Sequence, residues 1–169
     1  KIVDTINQGK IHFFEPDLEM IVKGSVEKGN LRATMLPEKA DVFMVTVSTP
    51  IKADHEPNLS NIKSAAKAIT PILEKGNLVI LESTSPVGTT EKMIEWMKQE
   101  RPDLSFPDFS GQGFKVGTEN EAIDIAVAYC PERVLPGCVV RELVENDRII
   151  GGITYSCSEK ASTLYKIFV

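Results

Sequence analysis

The sequence predicts an α/β domain built on a parallel sheet with crossover helices, and three observations carry that prediction. Asp41–Val47, Leu78–Leu81 and Ile125–Ala128 are short, near-continuous apolar runs. Strands covered on both faces read this way, whereas a strand with one wet face alternates. The segments around these runs place apolar residues at helical spacing, so strand and helix signals alternate. Each run also stops abruptly at hydroxyl-bearing or charged side chains: Ser48-Thr49-Pro50, Glu82-Ser83-Thr84 and Cys130-Pro131-Glu132-Arg133. In an open parallel sheet, ligands bind just outside the carboxyl ends of the strands.

The bulk properties bound the answer. A chain of 169 residues can bury one substantial core. Its 42% apolar and 25% charged content is that of a soluble globular protein. A net charge of -5 argues against a nucleic-acid surface. No apolar run approaches the roughly 20 residues that span a bilayer, and no signal peptide opens the chain, so no membrane partner is expected. Cys130, Cys138 and Cys157 stand in no zinc spacing and His12 and His55 are isolated, so the reading is reduced cytoplasmic thiols and no metal site. The chain opens on Lys1 and closes on Phe168-Val169 inside an apolar helical pattern. That reads as a piece of a longer protein; a short protein whose initiator was processed away is the alternative.

Element by element, residues 1–7 read as the tail of a helix closed by Gly9. Pro16 and Asp17 suit the first turn of a second helix with its stripe at Leu18, Ile21, Val22 and Val26, stopped by Gly29. Leu31–Met35 is a short strand candidate. After the Asp41 strand and a polar loop, Leu59, Ile62, Ala66, Ile69 and Leu73 mark the buried stripe of a helix whose last turns Pro71 perturbs and Gly76 ends. Gly88 turns the chain out of the Leu78 strand, and Thr89 can cap a helix with Glu91 in its first turn and Met93, Ile94, Trp96 and Met97 on its apolar face. Residues 102–121 are expected to form a long surface loop. Glu142–Glu145 looks like a helical turn, Arg148-Ile149-Ile150 leads into Gly151-Gly152, and Ser158 opens a last helix containing Ala161, Leu164, Tyr165 and Phe168.

The strand ends carry the chemistry. Ser48 and Thr49 can bond a ribose or phosphate, though a simple strand-ending turn uses the same residues. Ser83, Thr84, Thr89 and Thr90 surround a Pro-Val-Gly turn that leads into a helix N-terminus, where backbone N–H groups attract anions. Glu132 can act as a base or orient a water, and Arg133 can fork onto a phosphate or carboxylate; a salt bridge to a neighbouring loop is the structural alternative. The glycine-rich dinucleotide fingerprint G-x-G-x-x-G does not occur.

Five segments together resemble the family of NAD-dependent nucleotide-sugar 6-dehydrogenases, which includes the UDP-glucose and GDP-mannose enzymes. They are Asp54-His55-Glu56-Pro57, Leu81-Glu82-Ser83-Thr84-Ser85-Pro86-Val87-Gly88, Tyr129-Cys130-Pro131-Glu132-Arg133-Val134-Leu135-Pro136-Gly137, Asn146-Asp147-Arg148-Ile149-Ile150-Gly151-Gly152 and Leu164-Tyr165-Lys166-Ile167-Phe168. The likeness is nearest to the branch that oxidises UDP-N-acetylmannosamine. UDP-glucose enzymes read Pro-Glu-Phe-Leu with a second Glu four residues after the first. Here Arg133 follows Glu132, and Pro136 takes the place of the second carboxylate. The resemblance implies the second part of a Rossmann-like parallel sheet domain that lacks the first strands and the Gly-rich loop. It divides the chain into an incomplete NAD-binding domain over 1–152 and the start of a linking or dimerisation helix over 153–169.

It also implies an activity. A UDP-amido-sugar C6 alcohol is oxidised through an aldehyde to a carboxylate, with two NAD reduced, by way of a thioester on the family's cysteine that water hydrolyses. Thr49, Thr84 and Thr90 would contact the NAD, Thr84 and Glu132 would position or activate the water, and Arg133 and Val134 would touch the UDP-sugar. The family's catalytic lysine, asparagine and cysteine would lie beyond Val169, so this chain alone is expected to be inactive. A cytoplasmic homodimer is the implied full-length state. A non-catalytic nucleotide-binding or interaction module, or a dehydrogenase of another UDP-hexose, remains the alternative. In a doubly wound sheet of order 3-2-1-4-5-6, strand 1 lies between strands 2 and 4. Without strands 1 and 2, the Leu31 and Asp41 strands have no neighbour to bridge them, and a complete sheet is not expected from this chain alone.

Overall fold

The computed structural model describes residues 1–53, 55–109 and 123–168. In chain order the elements are α1 (Ile2–Asn7), α2 (Leu18–Glu27), β1 (Val42–Val45), α3 (Ser60–Ile69), β2 (Leu78–Leu81), α4 (Thr89–Glu100), β3 (Ala126–Tyr129), α5 (Val139–Glu145), β4 (Gly151–Gly152) and α6 (Tyr155–Tyr165). They form two compact units: one from Lys1–Pro37, Arg133–Asp147 and Phe168, the other from Glu38–Glu132 and Arg148–Ile167.

The second unit holds the sheet, in the order β1-β2-β3-β4. β1, β2 and β3 run parallel, with Val42 opposite Leu78 and Leu78 opposite Ala126. The mixed α/β class with a mainly parallel sheet is thus the one predicted. All four residues of β2 are buried, as its uninterrupted Leu-Val-Ile-Leu run requires of a central strand. The sheet has two dissimilar faces. On one, Phe43, Val45, Val79, Leu81 and Val127 pack with Ile62, Ala66 and Ile69 of α3 and Met93, Ile94 and Met97 of α4. On the other, Leu78, Ile80, Ala126, Ala128 and Cys130 pack with Cys157, Ala161 and Tyr165 of α6.

Pro71 perturbs the last turns as expected: α3 stops at Ile69 and passes into one 3-10 turn, Thr70–Ile72, because proline lacks the N–H that the α ladder needs. Several boundaries differ from the sequence reading, each for a local reason. Gly88, with φ +86°, is the N-cap of α4, and Thr89 instead spends its hydroxyl on Pro86 O at 2.7 Å. The last helix is capped by Thr154, whose Oγ1 accepts from Cys157 N, so it begins a turn ahead of Ser158. Gly151-Gly152 forms an antiparallel strand on β3, unforeseen in the sequence. A Cβ at Gly152 would lie 2.2 Å from Ser158 N, so only glycine lets α6 start this close to the sheet.

The first unit contains α1, α2 and α5. The Leu31–Met35 strand does not form. Ala33 instead exchanges two hydrogen bonds with the Asn7 side chain, Nδ2 to O at 3.0 Å and N to Oδ1 at 2.7 Å, so an amide satisfies the backbone that a strand neighbour would have paired. α2 starts at Leu18 rather than Pro16, because Asp17 sits at φ +61° as its cap. The buried Glu15 carboxylate accepts Gly137 N and Val139 N, both at 2.9 Å, and so fixes the turn into α5. Asp54 and residues 110–121 of the predicted surface loop lie outside the described residues.

Candidate active site

Three strand ends of the second unit lie side by side because the parallel ladder continues past the strands. Glu82 N and Ser83 N both bond Val45 O, Cys130 N bonds Leu81 O, and Glu132 N bonds Glu82 O at 3.2 Å. Side chains reinforce this framework. Ser83 Oγ accepts Val47 N at 2.8 Å, and Thr49 Oγ1 donates to Thr84 O at 2.6 Å. Two of the predicted cofactor residues are therefore bonded to each other. Thr49 is half-buried and Thr84 exposed, so both present atoms at the carboxyl edge of the sheet. Thr90 lies in the first turn of α4 and is buried, which leaves it behind that edge.

At the end of β3 the chemistry changes from hydroxyls to charge. Glu132, part-exposed, accepts Arg148 Nη1 on Oε2 at 2.8 Å. The Arg148 side chain is only 6% exposed. Its guanidinium stands 5.5 Å from the centre of the Tyr165 ring, within cation–π range. The Tyr165 hydroxyl donates to Glu82 Oε1 at 2.5 Å. One connected group thus runs from β2 through α6 to the segment before β4 and back to β3.

The electrostatics follow from burial and charge. Burial pushes the Tyr165 hydroxyl well above its ordinary range, and its bonds to Cys130 and Glu82 add to this. Burial also raises the Cys130 thiol, against the pull of the Tyr165 bond and the Arg148 charge. Burial works against the Arg148 charge, but the Glu132 hydrogen bond and the charges of Glu132, Cys130 and Glu82 more than offset it. Neither Tyr165 nor Cys130 is therefore an anion near neutrality, and Arg148 stays a cation.

Of the remaining predicted residues, Arg133 and Val134 belong to the first unit, with Arg133 exposed and Val134 half-buried. The Arg133 carbonyl accepts Asn146 Nδ2 at 3.3 Å. The sequence reading gave no role to Glu82, Arg148 or Tyr165. A glutamate directly after a fully apolar strand was the available signal, since a carboxylate there must find a donor.

The family model of the UDP-glucose/GDP-mannose dehydrogenase family, NAD binding domain, matches residues 1–169. The chain belongs to this family. Its cofactor is NAD. The UDP-N-acetyl-D-mannosamine dehydrogenase of Campylobacter jejuni is 60% identical over 169 residues, covering 99% of this chain and 39% of that protein. The NDP-N-acetyl-D-galactosaminuronic acid dehydrogenase of Ralstonia nicotianae is 58% identical over 167 residues, covering 99% of this chain and 37% of that protein. Among solved structures, the UDP-D-ManNAc dehydrogenase of Pyrococcus horikoshii superposes with a TM-score of 0.83 at 34% identity, over 99% of this chain and 37% of that one. The chain thus spans less than two-fifths of the length of the curated relatives it matches. The likeness confirms the family named from the strand-end motifs and the Rossmann-like class. No helix among the described residues is long and apolar enough to cross a membrane.

The residues present fit a dinucleotide. The exposed Thr84 and the half-buried Thr49 offer oxygens at the parallel strand ends, and a Cβ at Gly88 would meet nothing within 4 Å, which leaves the turn into α4 open to close approach.

Proposed function

We propose that this chain serves the NAD-dependent oxidation of a UDP-amido-sugar at C6, from alcohol to carboxylate, with UDP-N-acetylmannosamine as the substrate to test first. One observation carries the reading. A carboxylate, Glu132, is held by a buried arginine at the strand end next to the Thr84–Thr49 pair, so an acid–base group stands beside the proposed cofactor contacts.

NAD supplies the hydride acceptor for both oxidations. The overall balance is one alcohol, one water and two NAD⁺ giving one carboxylate, two NADH and three protons. Thr49, Thr84 and Thr90 line the cofactor side; Thr90 would act from within the first turn of α4 rather than through an exposed side chain. Glu132 takes a proton from the water that completes the second oxidation, and Thr84 helps to orient that water. Arg133 and Val134 contact the UDP-sugar, Arg133 through its forked donors. Residues 1–152 belong to the NAD-binding domain, and 153–169 begin the helix that links it to the rest of the enzyme. The active form is a cytoplasmic homodimer. The three free thiols, Cys130, Cys138 and Cys157, suit a reducing compartment.

The proposed activity requires a chain of the relatives' length, and the 169 residues alone reduce no NAD with any UDP-sugar. The test is NADH formation across a panel of UDP-sugars by the protein of that length and by this chain. Turnover of UDP-N-acetylmannosamine above UDP-glucose by the long form supports the reading. Turnover by the 169-residue chain overturns the requirement for the rest, and binding without turnover by the long form favours a non-catalytic nucleotide module. The Ralstonia relative favours a second substrate, an N-acetylgalactosamine nucleotide, which belongs in the same panel.

A further inference from the structure

We infer that Arg148, braced by Tyr165 and Glu82, is the positioning residue that fixes Glu132 for its work on the water. This deepens the proposed function and rests on it. Arg148 has little freedom. Its side chain is 6% exposed, its Nη1 is committed to Glu132 Oε2 at 2.8 Å, and its Cζ stands 5.5 Å from the centre of the Tyr165 ring. Tyr165 is itself pinned, 2% exposed and donating to Glu82 Oε1 at 2.5 Å. Glu82 is anchored in turn by its backbone, because its N bonds Val45 O and its carbonyl accepts Glu132 N. The loop of contacts therefore closes on Glu132 twice, once through its carboxylate and once through its own N–H.

A surface ion pair needs none of this. Glu132 follows Pro131 at the open end of a strand, and its side chain is part-exposed, so a fixed partner narrows the rotamers open to it. Held through Oε2 by Arg148, the carboxylate receives a proton from water. In the hydrolytic step the water oxygen bonds the acyl carbon, its proton passes to Glu132, and the carbon–sulfur bond breaks to release the thiolate. Arg148 touches none of the reacting atoms and acts only by holding the base. Small side chains make room for Tyr165: Ala126 and Ala128 of β3 and the following Cys130 pack with it, where larger residues would displace it.

The test is a double-mutant cycle on the protein of the relatives' length, with R148Q, E132Q and the pair. Acting through Glu132, R148Q lowers kcat about 10- to 100-fold with KM for both substrates nearly unchanged. The pair is then no slower than E132Q alone, because the effects are not additive. R148K recovers part of the loss, and added guanidinium restores kcat to R148A. Additive losses, or a kcat that follows only the folded fraction with no rescue, overturn the positioning role. Should R148Q not fold, R148K and Y165F complete the same cycle with E132Q. A wild-type enzyme inactive on every UDP-sugar overturns the underlying reading as well, whereas an active one with additive losses overturns this inference alone.

Discussion

The two faces of the sheet use the same three parallel strands for opposite ends. The face under α3 and α4 is filled by large, fully apolar side chains such as Ile62, Leu81, Met93 and Met97, all buried. The face under α6 is lined by Ala126 and Ala128 of β3 and by Cys130 just after it, and the space they leave is taken by Tyr165, whose hydroxyl reaches Glu82. One face contributes burial, roughly 25 cal/mol per Å² of apolar surface removed from water. The other gives up part of that gain to bring a phenol, a guanidinium and two carboxylates to the ends of β2 and β3. Apolar packing and the polar cluster thus lie on different sides of one sheet, and substitutions on the two sides should be separable.

The largest effect is expected of Leu81→Ala. It leaves a cavity on the α3/α4 face, and the expected cost is about 2 to 5 kcal/mol of stability. Chemical denaturation measures that loss, and kcat per folded molecule of the long form should stay within a few-fold. Next comes E132Q, which should lower kcat by about 100-fold or more in steady-state assays, as loss of an acid–base group does. Its stability cost should fall at the low end of the roughly 3 to 5 kcal/mol for breaking a buried pair, since Glu132 is part-exposed and solvent screens it.

Ala128→Leu, on the α6 face, tests the room left for Tyr165. Overpacking there should cost about 1 to 3 kcal/mol and should reduce kcat along with stability, unlike Leu81→Ala. Y165F is milder at neutral pH, about 1 kcal/mol for one lost hydrogen bond, but it changes the response to alkali. The native state raises both the Tyr165 and Cys130 protons above their ordinary values, so it binds more protons than the unfolded chain at high pH. That stability is complete below the unfolded cysteine and tyrosine ranges, about 8.5 and 10, and is lost as pH rises through them. Melting midpoints between neutral and strongly alkaline pH should fall less steeply in Y165F than in the wild type. The smallest effect is expected of T49V, a few-fold rise in KM for NAD at unchanged kcat, from one hydrogen bond.

What the sequence disclosed follows the range of the forces involved. β2 was legible to the residue, because Leu78–Leu81 is apolar throughout and ends at a glutamate. The α3 and α4 stripes were legible because helical spacing is local. The Leu31 segment misled because its local pattern suits a strand, while pairing needs a neighbour and here the Asn7 amide takes the backbone. β4 was hidden because Gly-Gly has no strand propensity, and its place is set by α6 packing onto it. The Tyr165–Glu82 bond joins residues 83 positions apart, which no window along the chain can see. The strand ends marked the segments that hold Glu132, Thr84 and Thr49, the family resemblance singled those residues out, and the ladder does bring the ends together; the Arg148 and Tyr165 brace behind them is a property of the folded face alone.

The most direct test of the central claim is the stoichiometry and rate of NADH formation by the protein of the relatives' length on UDP-N-acetylmannosamine, compared between wild type and E132Q. Two NADH per sugar consumed are expected of the wild type, and a loss of about 100-fold or more in kcat of E132Q at nearly unchanged KM. One NADH per sugar, or an E132Q enzyme as fast as the wild type, would contradict that claim.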